Sequence, residues 1–221
     1  MNTSSDAQAV FDSIARGDCE RLRILLDEDG ERAVKRNDAG IRPLMWSLYH
    51  QQQKIVDALL EFGVEPDFFE AAAIGRIQRV RDWLAVAPEL TNGYSPDGFT
   101  ALHLACYFDQ PTIVSLLVER GADVNVVTRN KFELRPIHSA AAARSSRSVQ
   151  LLLEYGAEPN AQQQGGYAPL HSAAKNGDFD VTRSLILRNA DPTLQADDGK
   201  TPRDLARESG HDRIVQLLGP I

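Results

Sequence analysis

Cysteine, aromatic residues and excess positive charge are all scarce in this 221-residue chain. Its two cysteines, Cys19 and Cys106, lie far apart and in no Cys-x-x-Cys spacing, which argues against a disulfide framework or a cysteine zinc site. The net charge is −7, so we expect no binding to nucleic-acid phosphates. The chain has no apolar run of about 18 residues and no signal-peptide pattern at its start. We therefore expect a cytoplasmic protein that does not enter a membrane.

Motifs of catalysis are also missing. The chain has no Gly-x-x-x-x-Gly-Lys-Ser/Thr phosphate loop, no Gly-x-Ser-x-Gly turn and no carboxylate pair in a plausible pocket. Cys106 follows His103 by three residues, but burial as a small apolar side chain is the usual fate of a free cysteine in such a position. We expect no enzyme activity and no cofactor.

Internal repetition is the main feature that the chain does have. Residues 100–105, 135–140, 168–173 and 201–206 share one frame, and their final alanines lie 35, 33 and 33 residues apart. Extending the frame towards the N-terminus gives seven small residues: Ser13, Ser47, Ala71, Ala105, Ala140, Ala173 and Ala206. Twelve residues after each comes a large apolar residue: Leu25, Leu59, Trp83, Leu117, Leu152, Leu185 and Leu218. Nine residues after each come Leu22, Val56, Val80, Val114, Val149, Thr182 and Val215.

This spacing predicts seven similar pairs of helices. The small residue lies where the first helix approaches its neighbours, and the large residues line the packed face of the second helix. We expect the second helix to end in a left-handed residue, at Gly63, Gly121, Gly156 and Asn189 in four of the units. One unit cannot bury its own apolar face, so the stability must come from stacking.

The openings Thr100-Ala-Leu-His and Ala168-Pro-Leu-His resemble the Thr-Pro-Leu-His-x-Ala motif of the ankyrin repeat, whose period is near 33. The resemblance implies an all-α solenoid of about seven helix–turn–helix repeats with short β-hairpin or loop fingers, in a single domain over residues 1–221. The repeats span residues 7–37, 38–66, 67–94, 95–128, 129–161, 162–194 and 195–221, and the first and last act as caps. The stretch from Phe68 to His103 is also similar to bacterial ankyrin proteins.

Three histidines, His103, His138 and His171, recur at one position of successive repeats. Because packed helices place them roughly 10 Å apart, they cannot converge on one zinc ion, and we expect no metal. The resemblance implies a structural role, in which each imidazole bonds backbone groups and ties a finger to its helix. It also implies that Asn125 and Asn160 bond the finger backbone.

Ankyrin repeats generally bind through the finger tips and the exposed face of the first helix, which together form a concave surface. At these positions the chain carries Tyr49, Phe99, Tyr107, Phe108 and Tyr167, with Phe132 close to one of them, although only 7% of its residues are aromatic. Exposed aromatic residues are typical of interaction sites. The alternative is that Phe99 and Phe108 fill space left by an irregular third repeat.

Two repeats depart from the regular length. The small residues Ser47 and Ala71 are only 24 apart, which leaves no room for a finger near Pro66. The gap is either a slot for a partner or a tolerated loop deletion. The finger around Lys131 is two residues longer than the others and opens a stretch, residues 129–147, with five basic residues and one acidic residue. This basic stretch either meets an acidic partner or is simply solvated.

These observations predict a non-catalytic scaffold that binds a partner protein on its concave face. In this hypothesis Phe99, Tyr107 and Phe108 anchor the partner. The basic residues that select an acidic flank are Arg129, Lys131, Arg135 and Arg144. The alternatives are an accessory or inhibitory subunit of an enzyme and a self-associating module. A monomer is expected, and a homodimer is the alternative.

Overall fold

The computed structural model describes residues 3–219, with side chains from Gln8 onward, and the regular structure of this part is helical. Its β-structure is limited to one isolated bridge, between Tyr94 and Thr100. The expected all-α fold is therefore confirmed. The chain divides into two compact units, residues 1–70 and residues 71–221.

The first unit contains two helix pairs and the connections between them. Its helices are α1 (Thr3–Arg16), α2 (Cys19–Glu28), a 3-10 helix (Gly30–Ala33), α3 (Pro43–Tyr49), α4 (Gln53–Glu61) and the start of α5 (Phe68–Ala73), which spans the division. The core of this unit is apolar and closely packed. Its most deeply buried members are Val10, Ile14, Leu22, Leu44, Ile55 and Leu59.

The second unit continues with shorter, more regular pairs. Its helices are α6 (Ile77–Val86), a 3-10 helix (Pro88–Asn92), α7 (Ala101–Tyr107), α8 (Pro111–Glu119), α9 (Pro136–Ala142), α10 (Ser146–Glu154), α11 (Pro169–Asn176), α12 (Phe179–Leu187), α13 (Pro202–Glu208) and α14 (Asp212–Leu217). The helices α7, α9, α11 and α13 pack in sequence as an inner layer. The helices α6, α8, α10, α12 and α14 pack in sequence as an outer layer.

Burial follows the repeat frame closely. All seven residues of the small-residue series are buried, and the four alanines from Ala105 to Ala206 are fully buried. Two large residues differ from the prediction, because Trp83 and Val215 are only half-buried while Leu84 and Ile214 take the core positions.

The second helices end as the sequence predicts. Gly63, Gly121 and Gly156 have φ of 96°, 83° and 88°, and Asn189 has φ of 64°. These values lie in the left-handed region, which stops a helix at little cost for glycine and next most easily for asparagine. The long finger has no glycine at its turn, and Glu133 takes the left-handed conformation there instead, with φ of 54°.

Asparagine side chains connect successive pairs of the second unit. Asn125 donates to the Gly156 carbonyl at 3.0 Å and accepts from the Glu158 N–H at 2.9 Å. Asn160 bridges the Asn189 carbonyl and the Asp191 N–H in the same way, at 3.1 and 2.7 Å. The expectation that these asparagines bond the fingers is thus wrong in detail, because they bond the chain where it leaves the next outer helix. A third bridge, from Asn92 to Gly121 and Asp123, was not anticipated.

Among the described residues, every helix is too short or too polar to span a bilayer.

Candidate functional site

Each of the three recurring histidines lies at the third position of an inner helix and joins two segments of chain. In His103, His138 and His171 the Nδ1 atom accepts from the backbone N–H of the residue before the helix, at 3.3, 3.0 and 3.1 Å. The Nε2 atom lies 3.0, 2.9 and 3.2 Å from a carbonyl of the following finger, at Leu134, Ala161 and Lys200. Because Nδ1 accepts, Nε2 carries the proton and the ring is neutral.

Burial keeps these rings uncharged. Desolvation lowers the pKa of His103 to about 4, and it lowers the pKa of His138 to about 4 as well. It also lowers the pKa of His171. A buried imidazolium would lack solvation and would lose the N–H···Nδ1 bond. These histidines therefore hold the fingers in place at neutral pH.

Nothing in the described residues forms a group of metal ligands. Cys106 is fully buried, and burial raises the pKa of its thiol far above the usual range, so the thiolate that a nucleophile requires does not form there.

The fingers of the second unit are connected to each other by their backbones. The Arg129 N–H donates to the Gly98 carbonyl at 2.8 Å, and the Asp197 N–H donates to the Gly165 carbonyl at 3.0 Å. Between them, the Gln164 N–H donates to the Phe132 carbonyl at 3.2 Å. With the histidine bonds, this gives a row of fingers fixed at both base and tip.

Two of the predicted aromatic residues are well exposed in this unit. Tyr107, the last residue of α7, is 48% exposed, and Phe132, in the long finger, is 47% exposed. Phe108 is half-buried with its ring perpendicular to that of Tyr107, at 5.0 Å between centroids. Phe99 precedes α7 and packs edge-on against His103, with 6.2 Å between the ring centroids.

The two remaining aromatic residues of the prediction differ from these. Tyr167 is half-buried and its hydroxyl donates to Asp198 at 2.9 Å, which raises the pKa of Tyr167. Tyr49 is the last residue of α3 and belongs to the first unit, where it is half-buried.

The predicted basic residues have unequal surroundings. The Arg129 guanidinium lies over the ring of Tyr94, 4.0 Å from its centroid, and the Lys131 ammonium lies 5.4 Å from the Phe132 ring. Arg135 forms an ion pair with Glu158 of the same chain, so much of its charge is already matched. Arg144 is exposed in the turn between α9 and α10, with φ of 58°.

Within the second unit, helix pairs stacked in two layers and joined by a row of fingers are typical of a helical-repeat protein. The family model described as ankyrin repeats (3 copies) matches residues 68–163 and 137–220. The chain therefore belongs to the ankyrin-repeat family, whose members generally mediate protein–protein interaction.

Several curated proteins are similar to the chain. The probable 26S proteasome regulatory subunit p28 of Saccharomyces cerevisiae is 27% identical over 67% of this chain and 71% of its own length. Protein PhlB of Serratia liquefaciens is 30% identical over 73% of this chain and 59% of its own length. BCL-6 corepressor-like protein 1 of Homo sapiens is 34% identical over 43% of this chain, a match that spans only 5% of that protein. Because these relatives are both bacterial and eukaryotic, the narrower likeness to bacterial ankyrin proteins stays a prediction.

Proposed function

We propose that this chain is a non-catalytic scaffold that holds a partner protein on the finger and inner-helix side of its second unit. The observation that carries the proposal is the exposure of Tyr107 and Phe132, at 48% and 47%, on a frame of interlocked fingers. Tyrosine and other aromatic residues on a rigid support are the usual anchors of protein interfaces, because they bury a large area with little loss of conformational entropy.

The surroundings of the ten proposed residues indicate how much each contributes to binding the partner. Tyr107 and Phe132 are the primary anchors, since Phe99 and Phe108 are already half-buried against neighbouring rings. Lys131 and Arg144 are exposed and select an acidic flank of the partner. Arg129 and Arg135 contribute less, because one guanidinium lies on Tyr94 and the other is paired with Glu158. Tyr167 is a secondary contact of this surface, whereas Tyr49 is proposed only as a contact of the first unit.

A role as a regulatory subunit of an enzyme assembly is the second candidate. It is favoured by the relative p28, which is described as a regulatory subunit and matches 67% of this chain. In this candidate the same surface binds one cognate enzyme, and an effect on activity appears only in the complex.

The chain offers a matched pair of tyrosines for a test. Tyr107 and Tyr155 are each 48% exposed, but Tyr107 ends an inner helix while Tyr155 follows the outer helix α10. The Tyr107→Ser and Tyr155→Ser variants and the wild type are immobilised, and the proteins that each retains from native extract are quantified by mass spectrometry. We expect Tyr107→Ser to weaken retention of the partner by about tenfold or more, as for an interface anchor, and Tyr155→Ser to have no effect.

Equal retention by all three proteins would contradict the proposed surface, and loss with Tyr155→Ser alone would place the site on the outer helices. Addition of the purified partner separates the two candidate functions, because a regulatory subunit changes the partner's activity and a plain scaffold does not. Light scattering at several protein concentrations tests self-association through the same surface.

A further inference from the structure

A shallow pocket of about 290 Å³ opens within the first unit, where the finger is missing. It lies between the 3-10 helix that follows α2 and the chain that leaves α4. Its walls are formed by Val34 and Phe62, which are 46% and 44% exposed, and by Gly63, Glu65 and Arg42. The Arg42 guanidinium lies 3.3 Å from the Glu65 carbonyl and fixes that wall.

The equivalent place in the second unit is filled by an asparagine carboxamide. Val34 lies five residues after Asp29, the residue that precedes its 3-10 helix, and Asn92 lies five residues after Ala87, which precedes the other 3-10 helix. Asn92 donates to the Gly121 carbonyl at 3.3 Å and accepts from the Asp123 N–H at 2.9 Å. Val34 thus occupies the position of a bridging asparagine but can neither donate nor accept a hydrogen bond.

The backbone that the asparagine would meet is preserved. Gly63 and Gly121 have φ of 96° and 83°. In both places the glycine N–H and the next N–H donate to carbonyls of the preceding helix. After α4, the Gly63 N–H donates to the Leu60 carbonyl and the Val64 N–H donates to the Leu59 carbonyl. The corresponding bonds in the second unit run from Gly121 and Ala122 to Val118 and Leu117. The Gly63 peptide therefore has the same hydrogen-bonding arrangement as the Gly121 peptide, and Gly63 and Val34 both line the pocket.

We propose that this pocket is a binding site for a primary carboxamide, the side chain of an asparagine or glutamine in a bound polypeptide. The carboxamide NH₂ donates to the Gly63 carbonyl, as the asparagine side chains of the second unit donate to the equivalent carbonyls. The methylene of the ligand packs on Val34 and Phe62. A carboxamide fits this pocket because the second unit has an asparagine carboxamide at each of the three equivalent positions, Asn92, Asn125 and Asn160. The site is separate from the proposed partner surface and does not depend on it.

The test uses small probes and the whole chain. Acetyl-asparagine-N-methylamide is titrated into ¹⁵N-labelled protein while the backbone amide shifts are followed by NMR. Acetyl-leucine-N-methylamide, which is similar in size but has no side-chain hydrogen bonds, is the matched control. We expect the asparagine probe to shift the amides of Gly63, Val64 and Glu65 and to bind about fivefold or more tightly than the leucine probe.

Two variants complete the test. Val34→Asn is expected to fill the pocket from within the chain and to abolish the shifts, whereas Val34→Thr, which keeps the size of valine, should retain them. The proposal is overturned if the asparagine probe leaves these amides unchanged, if the leucine probe binds as well, or if Val34→Asn still binds. Circular dichroism confirms that both variants are folded.

Discussion

The two units connect their helix pairs with different chemistry at equivalent positions. In the second unit, Arg135 precedes α9 and pairs with Glu158, and the neutral His138 bonds the next segment. In the first unit, Arg42 precedes α3, and its guanidinium reaches the Glu65 carbonyl and the buried carboxylate of Glu70. No histidine stands at the third position of α3, where Met45 is found. Where a finger is present, a neutral imidazole such as that of His138 connects the helix pairs. Where the finger is missing, the ion pair between Arg42 and the buried Glu70 connects them.

The consequence of this difference is an opposite response to pH. Burial lowers the pKa of His103 and His138 to about 4, from an ordinary 6.5. Burial and the nearby Asp67 raise the pKa of Glu70 to about 7 from 4.5, despite the opposing effect of Arg42. The histidines therefore favour folding at neutral pH, and Glu70 favours folding at acidic pH.

The largest effect is expected when the histidines titrate. Between pH 6.5 and 4 the unfolded chain binds more protons at these histidines than the folded one, so stability is lost as the pH falls through this window. Each pKa unit is worth about 1.4 kcal/mol, so each of the two histidines should contribute a loss on the order of 3 kcal/mol. Urea unfolding at several pH values measures the slope.

Two variants should change the slope of stability against pH in opposite directions. His138→Gln should make the pH dependence shallower by about one histidine's share, while Glu70→Gln should make it steeper between pH 4.5 and 7. The steepening follows because the contribution of protonated Glu70 is lost as the pH rises through that window in the wild type. A wild-type slope in both variants would show that the buried groups do not titrate as described.

Breaking the ion pair of the first unit should have the next largest effect. Glu70 is 1% exposed, and Arg42→Met would leave its carboxylate buried without a cation, at a cost of about 3–5 kcal/mol at pH 8. At pH 5.5 the loss should be smaller, because Glu70 can take up a proton instead. Arg36→Met is the control, since Arg36 lies 3.6 Å from Asp67 but is 48% exposed, and such a surface pair contributes about 1 kcal/mol or less. The same loss for Arg42→Met at both pH values would argue against the raised pKa of Glu70.

The smallest of the three effects concerns the asparagine bridges. Asn125→Ala removes two hydrogen bonds between successive pairs and should cost about 1–2 kcal/mol. Asn176→Ala removes a single bond of 3.3 Å to the Ala142 carbonyl and should cost about half as much. Thermal unfolding of both variants compares the two losses of stability. Equal losses would mean that the second hydrogen bond of Asn125 adds no stability.

The regular part of the molecule could be predicted from the sequence because its spacing is a direct consequence of packing. A small residue is required where inner helices meet, so buried alanines such as Ala105 and Ala140 mark the inner helices in the sequence. Trp83 and Val215 were misplaced because neighbouring positions on an outer helix, Leu84 and Ile214, are equally apolar, and the sequence does not show which of them turns inward.

Contacts between side chains that lie far apart in the sequence could not be predicted. The pairing of Arg135 with Glu158 joins residues 23 apart, and its sequence signal is only an arginine and a glutamate at ordinary surface positions. The bridge from Asn92 could have been found, since it occupies the position of Asn125 and Asn160 in the repeat. The similarity was hidden because Asn92 ends a 3-10 helix instead of following a Gly-Ala turn.

Site-specific photo-crosslinking reports whether the finger and inner-helix side of the second unit holds the partner. A benzophenone amino acid is placed at Tyr107 in one protein and at Tyr155 in another, two positions of equal exposure on opposite layers. After irradiation in native cells, we predict a discrete crosslinked product of one partner protein from position 107 and none from position 155. A product from position 155 alone, or the same product in equal yield from both, would contradict the account.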